Sequence, residues 1–421
     1  MKRNYYLVVL VIVTFFVISF LTNIIGPLIP EIIEDFDLSL TMVAVLPFAF
    51  FIAYAAMSIP SGLLVEAYGE KKIMVAAFLV AFLGALLFGM LPNYLIAIVS
   101  LFLIGTGMAM LQVVINPLLR EAGGEENFAF NSQLGQLFFG LASFLSPLVY
   151  SYLVLNLESG DTEGMFLSTL SGLVPEELPW VSLYWLFALV SLGMVVVILA
   201  SRFPEVERKE DEKVGILETL ALLKKPTVWL FFLGIFCYVG SEQGVANWIS
   251  EFLSTYHGYD PQTTGASTVS WLWGMMTIGT FVGLVLLKVM DSRNVLISFT
   301  LGAIISLSLA LFGSGRVALY AFPAIGFFLA VMYPVIFSLA LNSVAEHHGS
   351  FSGILITGIG GGAVIPLVIG SLGDALGLRV GMFFLYITFG YILSIGFWAR
   401  PLVTNKTINF SNKKETPRNV S

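Results

Sequence analysis

Twelve long apolar stretches, each separated from the next by charge or turn residues, account for most of the chain. Numbered in chain order as helices 1 to 12, they run over residues 5–30, 39–65, 73–91, 94–119, 131–156, 181–201, 227–256, 265–288, 294–313, 317–343, 351–373 and 379–399. A bilayer core about 30 Å thick is crossed by about 20 residues at 1.5 Å each. The stretches are too long for strands, and backbone in lipid must satisfy its own hydrogen bonds. The expectation is therefore an all-α polytopic membrane protein with 12 transmembrane helices. Composition agrees: 11% of the 421 residues are charged and mean hydropathy is +0.92, where soluble domains carry about 25% charge. That argues against a soluble enzyme, and a net charge of −7 offers no basic field for nucleic acid. A lone Cys237 permits no internal disulfide, and with no Cys/His cluster no metal site is expected. Lys2 and Arg3 precede helix 1 as in a signal peptide, but the apolar run is too long and no A-x-A site comes after it.

Basic residues set the orientation. With the amino terminus in the cytoplasm, 18 of the 20 Lys and Arg fall on the cytoplasmic side, and only Arg316 and Arg379 fall outside. Such a bias predicts an even number of spans in a plasma or inner membrane with both termini cytoplasmic. Glu31, Glu34, Asp35 and Asp37 after helix 1, and Glu158 and Asp161 after helix 5, read as outer loops. The sequons at Asn405 and Asn409 are then chance matches in a cytoplasmic tail.

One long charged stretch, from Pro204 to Lys225, divides six helices from six. The domains expected are a bundle over residues 1–202, a cytoplasmic linker over 203–226, a second bundle over 227–400 and a tail over 401–421. Faint echoes about 220 residues apart, Glu66 with Asp291 and Pro147 with Pro366, suggest duplication. Two six-helix bundles moving against each other about a midplane site are the architecture of a secondary transporter. No Walker A loop or zinc motif appears, so the expectation is no enzyme and no cofactor beyond a coupling ion.

Polar groups at membrane depth mark substrate or ion pathways. Glu242 lies 15 residues into helix 7, about 22 Å along its axis. No Lys or Arg occupies the middle of any span to pair with it. A desolvated carboxyl there can exchange a proton or help hold Na⁺, or stay protonated in an interhelical hydrogen bond. Amides form a second group: Gln243 and Asn247 four apart, Gln112 and Asn116 four apart, Gln133 and Gln136 three apart, and Asn23 alone. Amides suit sugar hydroxyls, and Trp248, Trp271, Trp273 and Tyr333 could stack on an apolar sugar face, although each singly also serves as packing. The Gly360 to Pro366 run reads first as close helix packing and also permits a bend in helix 11. His347 and His348 read as solvated loop residues.

Several strings carry a resemblance. Helix 1 ends GPLIP from Gly26, helix 2 runs FFIAYAAMSIPSGLLVEAYGEKK from Phe50, and helix 4 has INPLL. Helix 7 has YVGSEQGVANW, helix 10 MYPVIFSLAL and helix 11 GSFSGILITGIGGGAVIPLVIGSLGD. Together they resemble the fucose/glucose/galactose symporter branch of the major facilitator superfamily, over about residues 20–375. The loop after helix 2 is similar to the superfamily's gating motif, with Gly62, Glu66, Gly69 and Lys71 in place and Glu70 where Arg is usual. The fucose members have Asp at the position of Gly26 and Glu at that of Gln112, whereas glucose/galactose members share the glycine. The resemblance also matches Asn23, Gln136 and Glu242 to family positions.

It implies a major facilitator fold and a monosaccharide importer working by alternating access as a monomer, coupled to H⁺ or Na⁺. Asn23, Gln112, Asn116, Gln133, Gln136, Gln243, Asn247, Trp248 and Tyr333 are the expected substrate contacts, and Glu242 the coupling residue. An uncoupled sugar facilitator, or an exporter of small amphipathic compounds, is the alternative.

Overall fold

The computed structural model describes residues 4–123, 128–160, 164–203, 222–343 and 348–401. Linker residues 204–221, the tail sequons and His347 lie outside them. Among the described residues, twelve helical spans are long and apolar enough to cross a membrane. Their helices are Leu40–Tyr68, Glu70–Met90, Tyr94–Gly123, Phe128–Ser159 and Ser182–Ala200 for helices 2 to 6, and Pro226–His257, Ala266–Val289 and Ser292–Phe312 for helices 7 to 9.

Helices 1, 10 and 11 are interrupted. Helix 1 breaks between Tyr5–Thr22 and Ile25–Phe36, helix 10 between Gly315–Leu329 and Met332–Leu341. Helix 11 passes from His348–Thr357 through a 3₁₀ turn at Gly358–Gly360 into Gly361–Leu376, the bend its glycines allow. Helix 12 comes next as Leu378–Gly381 and Phe384–Trp398.

Helices 1 to 6 and 7 to 12 form two bundles, with helix 4 packed on helices 2 and 3, and helix 10 on helices 8 and 9. Glycine permits this spacing: a Cβ on Gly105 would meet the Phe50 carbonyl at 2.3 Å, and one on Gly326 the Leu272 carbonyl at 2.1 Å. The bundles touch through helices 2 and 11, 5 and 8, and 1 and 7. An even number of spans leaves both chain ends on one side, here the terminal end. The opposite side, where helix 1 finishes and helix 2 begins, is the far end.

Polar contacts between the bundles gather at the far end. Ser270 Oγ donates to the Phe144 carbonyl at 2.6 Å, and Gln262 Nε2 to Glu158 at 2.8 Å. Gly26 packs so tightly on helix 7 that a Cβ would meet the Ala246 carbonyl at 2.2 Å.

Two expectations are corrected here. Glu31, Glu34 and Asp35 sit not in a loop but on the second half of helix 1, which runs to Phe36 and ends at Asp37 with φ 49°. The charges misled because one face of this segment is apolar and buried while the other is polar. Asp35 also accepts the Trp180 indole N–H at 2.5 Å. Glu158 likewise sits not in a loop but on the last turn of helix 5, Phe128–Ser159, while Asp161 lies outside the described residues; the connection to helix 6 then carries a short helix, Met165–Ser171, and a 3₁₀ turn at Pro179–Val181.

The loop between helices 2 and 3 is a tight turn held by Gly69 and Lys71. Gly69 takes φ +83°, a left-handed turn that links helices 2 and 3 without a Cβ penalty. Lys71 Nζ donates to the carbonyls of Leu199 and Ser201, at 2.9 and 2.7 Å, closing the end of helix 6. Gly62 faces open space on helix 2, and Glu66 lies on the same helix. In the matching loop of the second bundle Asp291 caps helix 9 and pairs with Arg293 at 3.1 Å. Burial pushes its carboxyl up, but the bonds and charge of Arg293 outweigh this and hold it below the usual range.

Candidate functional site

Between the bundles lies a cavity of about 930 Å³, within the roughly 300–1,000 Å³ typical of small-molecule sites. Its walls run from Asn23 and Gln243, at the level where helix 1 breaks, down to Leu134, Leu341 and Asn342 near the terminal end. Its floor is the packed far end. The protein is therefore closed at the far end and open towards the terminal end.

Asn23 occupies the break in helix 1, where the lost helical register turns its side chain across to helix 5. Its Nδ2 donates to Ser143 Oγ at 2.9 Å and Ser19 Oγ at 3.3 Å, and the two hydroxyls lie 2.6 Å apart. With its donors used, its carbonyl oxygen is left for a ligand. Gln112 on helix 4 and Gln136 on helix 5 also line the cavity, and neither has a protein hydrogen bond among the described residues. They present both donor and acceptor atoms.

The opposite wall is helix 7. Glu242 is the sole charged side chain among the described lining residues. Its Oε2 accepts the Tyr238 hydroxyl at 2.5 Å and its Oε1 accepts Gln243 Nε2 at 3.2 Å. No cation pairs with it among the described residues. Tyr238 is one turn away on the same face, and its ring packs on Tyr333 of helix 10 with centroids 5.7 Å apart. Tyr54 of helix 2 and Trp273 of helix 8 add further aromatic lining, with Phe51, Phe139, Phe281 and Phe337.

The structure thus brings Asn23, Gln112, Gln136, Glu242, Gln243 and Tyr333 together. It does not bring Asn247 and Trp248 with them, which corrects the expectation for both. Asn247 shares the Gln243 face but lies a turn nearer the far end, buried where Gly26 packs on helix 7. Trp248 is fully buried, with its indole N–H 3.3 Å from the Pro366 carbonyl and its ring against Gly370, wedged between helices 7 and 11. Trp271 is half exposed and is not among the lining residues. The side chains of Asn116 and Gln133 lie outside the described residues. Reasoning from sequence missed Tyr54, Tyr238 and Ser143. Only Tyr238 carried a readable signal, its spacing of four from Glu242.

Comparison with known proteins bears on what such a cavity belongs to. Residues 11–366 match the family described as Major Facilitator Superfamily. The chain belongs to that superfamily. A glucose/galactose transporter of Brucella abortus is 31% identical to it over 394 residues, covering 91% of each chain. The L-fucose-proton symporter of Escherichia coli is 27% identical over 385 residues, covering 86% of each. These relatives place it in the fucose/glucose/galactose branch of the superfamily. Among solved structures, the E. coli fucose:proton symporter FucP shares the fold with a TM-score of 0.65 and 22% identity, over 94% of this chain and all of that one. The protein is a multi-pass membrane transporter, not an enzyme, and the cavity sits where this superfamily's two bundles meet.

Gly26 has a structural reason to be glycine. With the far end closed, a side chain there would run into helix 7 backbone. A carboxylate side chain at this position would have no room in this conformation, and the carboxylate on the cavity wall is that of Glu242.

Proposed function

We propose that the protein is a secondary transporter that imports a monosaccharide by alternating access, coupled to H⁺ or Na⁺ through Glu242. The observation that carries this reading is a cavity whose one charged lining residue, among those described, is a carboxylate held by a tyrosine and a glutamine and faced by uncharged amides. An anionic substrate would call for Arg or Lys on the wall. A hexose calls for amide and hydroxyl partners with aromatic rings beside them, and relatives named as glucose/galactose transporters and as an L-fucose-proton symporter agree.

Substrate would lie between Asn23, Gln112 and Gln136 on one bundle and Glu242, Gln243 and Tyr333 on the other. Each bundle, residues 1–202 and 227–400, moves as a body, with the 203–226 linker and 401–421 tail outside the machinery. The bias of Lys and Arg puts the terminal end in the cytoplasm, so this state is inward-open. One chain supplies the whole cavity, and a monomer suffices.

A Glu242 that exchanges a proton, or shares Na⁺, only while the cavity is open gives the coupling its direction. The second reading, an uncoupled facilitator, is favoured by Gly26 and Gln112 standing where the fucose members have carboxylates. Uptake of labelled hexoses into proteoliposomes, with a pH gradient or a Na⁺ gradient imposed separately, separates the two. Accumulation under one gradient supports coupling, and equilibration under both supports the facilitator. A panel in which no sugar moves overturns the substrate class.

A further inference from the structure

Helix 2 starts at Leu40, and the first backbone N–H groups of a helix find no partner within it. Ser39 Oγ accepts the Met42 N–H at 3.2 Å. The remaining two are taken from the other bundle: Asp374, near the end of helix 11, accepts the Leu40 N–H on Oδ1 and the Thr41 N–H on Oδ2, both at 2.7 Å. The Ser39 and Thr41 hydroxyls reach the same carboxylate. A negative charge at a helix N-terminus, hydrogen-bonded through both oxygens, is the strong form of a cap. Here the cap spans 334 residues of sequence and joins the two bundles.

The surrounding backbone is shaped for this approach. A Cβ on Gly370 would meet the Leu40 carbonyl at 2.6 Å, and one on Gly373 the Leu40 side chain at 2.7 Å. Helix 11 can bring Asp374 onto the start of helix 2 only because small residues lie one turn and one residue before it. Of the other polar bonds across the far end, Ser270 to Phe144 is single, and Gln262 serves Glu158 and Glu31 through one side-chain amide without capping a helix.

We propose that Asp374 is the latch of the far gate, a positioning residue whose carboxylate holds this gate shut by capping helix 2 and so sets how the protein divides its time between its two access states. To open the far end, helix 2 must leave Asp374 and give two N–H groups to water, so the latch acts on the equilibrium between states whatever the substrate. The inference rests on the fold and on alternating access, and is independent of which sugar or ion is carried.

The test reads distance directly. In a Cys237→Ala background, spin labels at Glu177→Cys and Arg316→Cys, exposed positions at the far rims of the two bundles, report gate opening by double electron–electron resonance in phosphatidylethanolamine/phosphatidylglycerol vesicles. The parent should favour the short distance. Asp374→Ala should lower the closed-to-open ratio about tenfold, the size expected for losing charge-assisted bonds. Asp374→Asn, which keeps one acceptor oxygen without the charge, should fall between them.

Leu40→Pro supplies a second route that leaves the carboxylate untouched. Proline is favoured at the first position of a helix and removes the N–H, the preceding Ser39 has the extended backbone it needs, and Leu40→Ala, which keeps the N–H, is the control for the side chain lost beside Gly373. It should shift the distribution in the same direction, and should add little to Asp374→Ala if both act through the same bonds. Wild-type distances in the Asp374 variants overturn the latch. If those variants do not fold, wild-type distances in Leu40→Pro overturn it.

Discussion

The Tyr238 hydroxyl donates to Glu242 Oε2 at 2.5 Å from one turn away on helix 7. The carboxylate is thus held in one orientation at the cavity wall, with Gln243 on its other oxygen. Tyr238→Phe deletes that donor and keeps the ring against Tyr333. It should reduce concentrative hexose uptake about tenfold while leaving sugar exchange without a gradient within about twofold. Parallel uptake and exchange assays on one proteoliposome preparation check this, and equal losses in both would mean that Tyr238 serves binding.

Asn23 is held by the Ser143 hydroxyl at 2.9 Å. Ser143→Ala frees the amide to turn from its working geometry without altering the cavity's size. The apparent KM for substrate should rise about tenfold, the equivalent of about 1.4 kcal/mol, with little change in maximal rate. Asn23→Ala should raise it further, and the pair should be less than additive because the two residues form one unit.

Gly26 offers a conformational test. A Cβ there would meet the Ala246 carbonyl at 2.2 Å, so Gly26→Ala and Gly26→Asp should fold but fail to close the far end. Transport should fall more than about tenfold, since overpacking a tight contact costs roughly 1–3 kcal/mol. Labelling of a cysteine placed at Asn247, which is buried in this state, should become faster in the Gly26→Ala background.

Trp248 separates packing from recognition. Trp248→Phe loses the bond to the Pro366 carbonyl and should lower thermal stability by about 1 kcal/mol with substrate KM unchanged. Trp248→Ala leaves a void between helices 7 and 11 and should cost about 3–5 kcal/mol. Detergent-solubilised melting curves read beside binding titrations give both numbers.

The helices were legible because a bilayer makes span length and apolarity one quantity, and neither depends on tertiary contacts. The end of helix 1 was not: Glu31, Glu34 and Asp35 look like loop until one face of that segment is seen to pack on helix 7. Asn23, Gln112, Gln136, Glu242 and Gln243 stood out as polar groups in apolar runs. Asn247 stood out for the same reason and Trp248 as a ring able to stack on a sugar, yet periodicity tells only which face a residue shares. The depth at which the bundles close decides whether that face meets cavity or packing. Tyr54 and Ser143 belong to residue types common in membrane helices, and their neighbours across the cavity are far away in sequence. The Asp374 cap on Leu40 and Thr41 has no local trace, because its partners belong to different bundles.

The central claim is that Glu242 couples sugar movement to an ion, and Glu242→Gln tests it most directly. Accumulation of labelled hexose in proteoliposomes under an imposed gradient is measured beside counterflow exchange with no gradient. The account predicts that accumulation is lost while counterflow persists at close to the parent rate. A Glu242→Gln protein that still concentrates sugar against its gradient would contradict it.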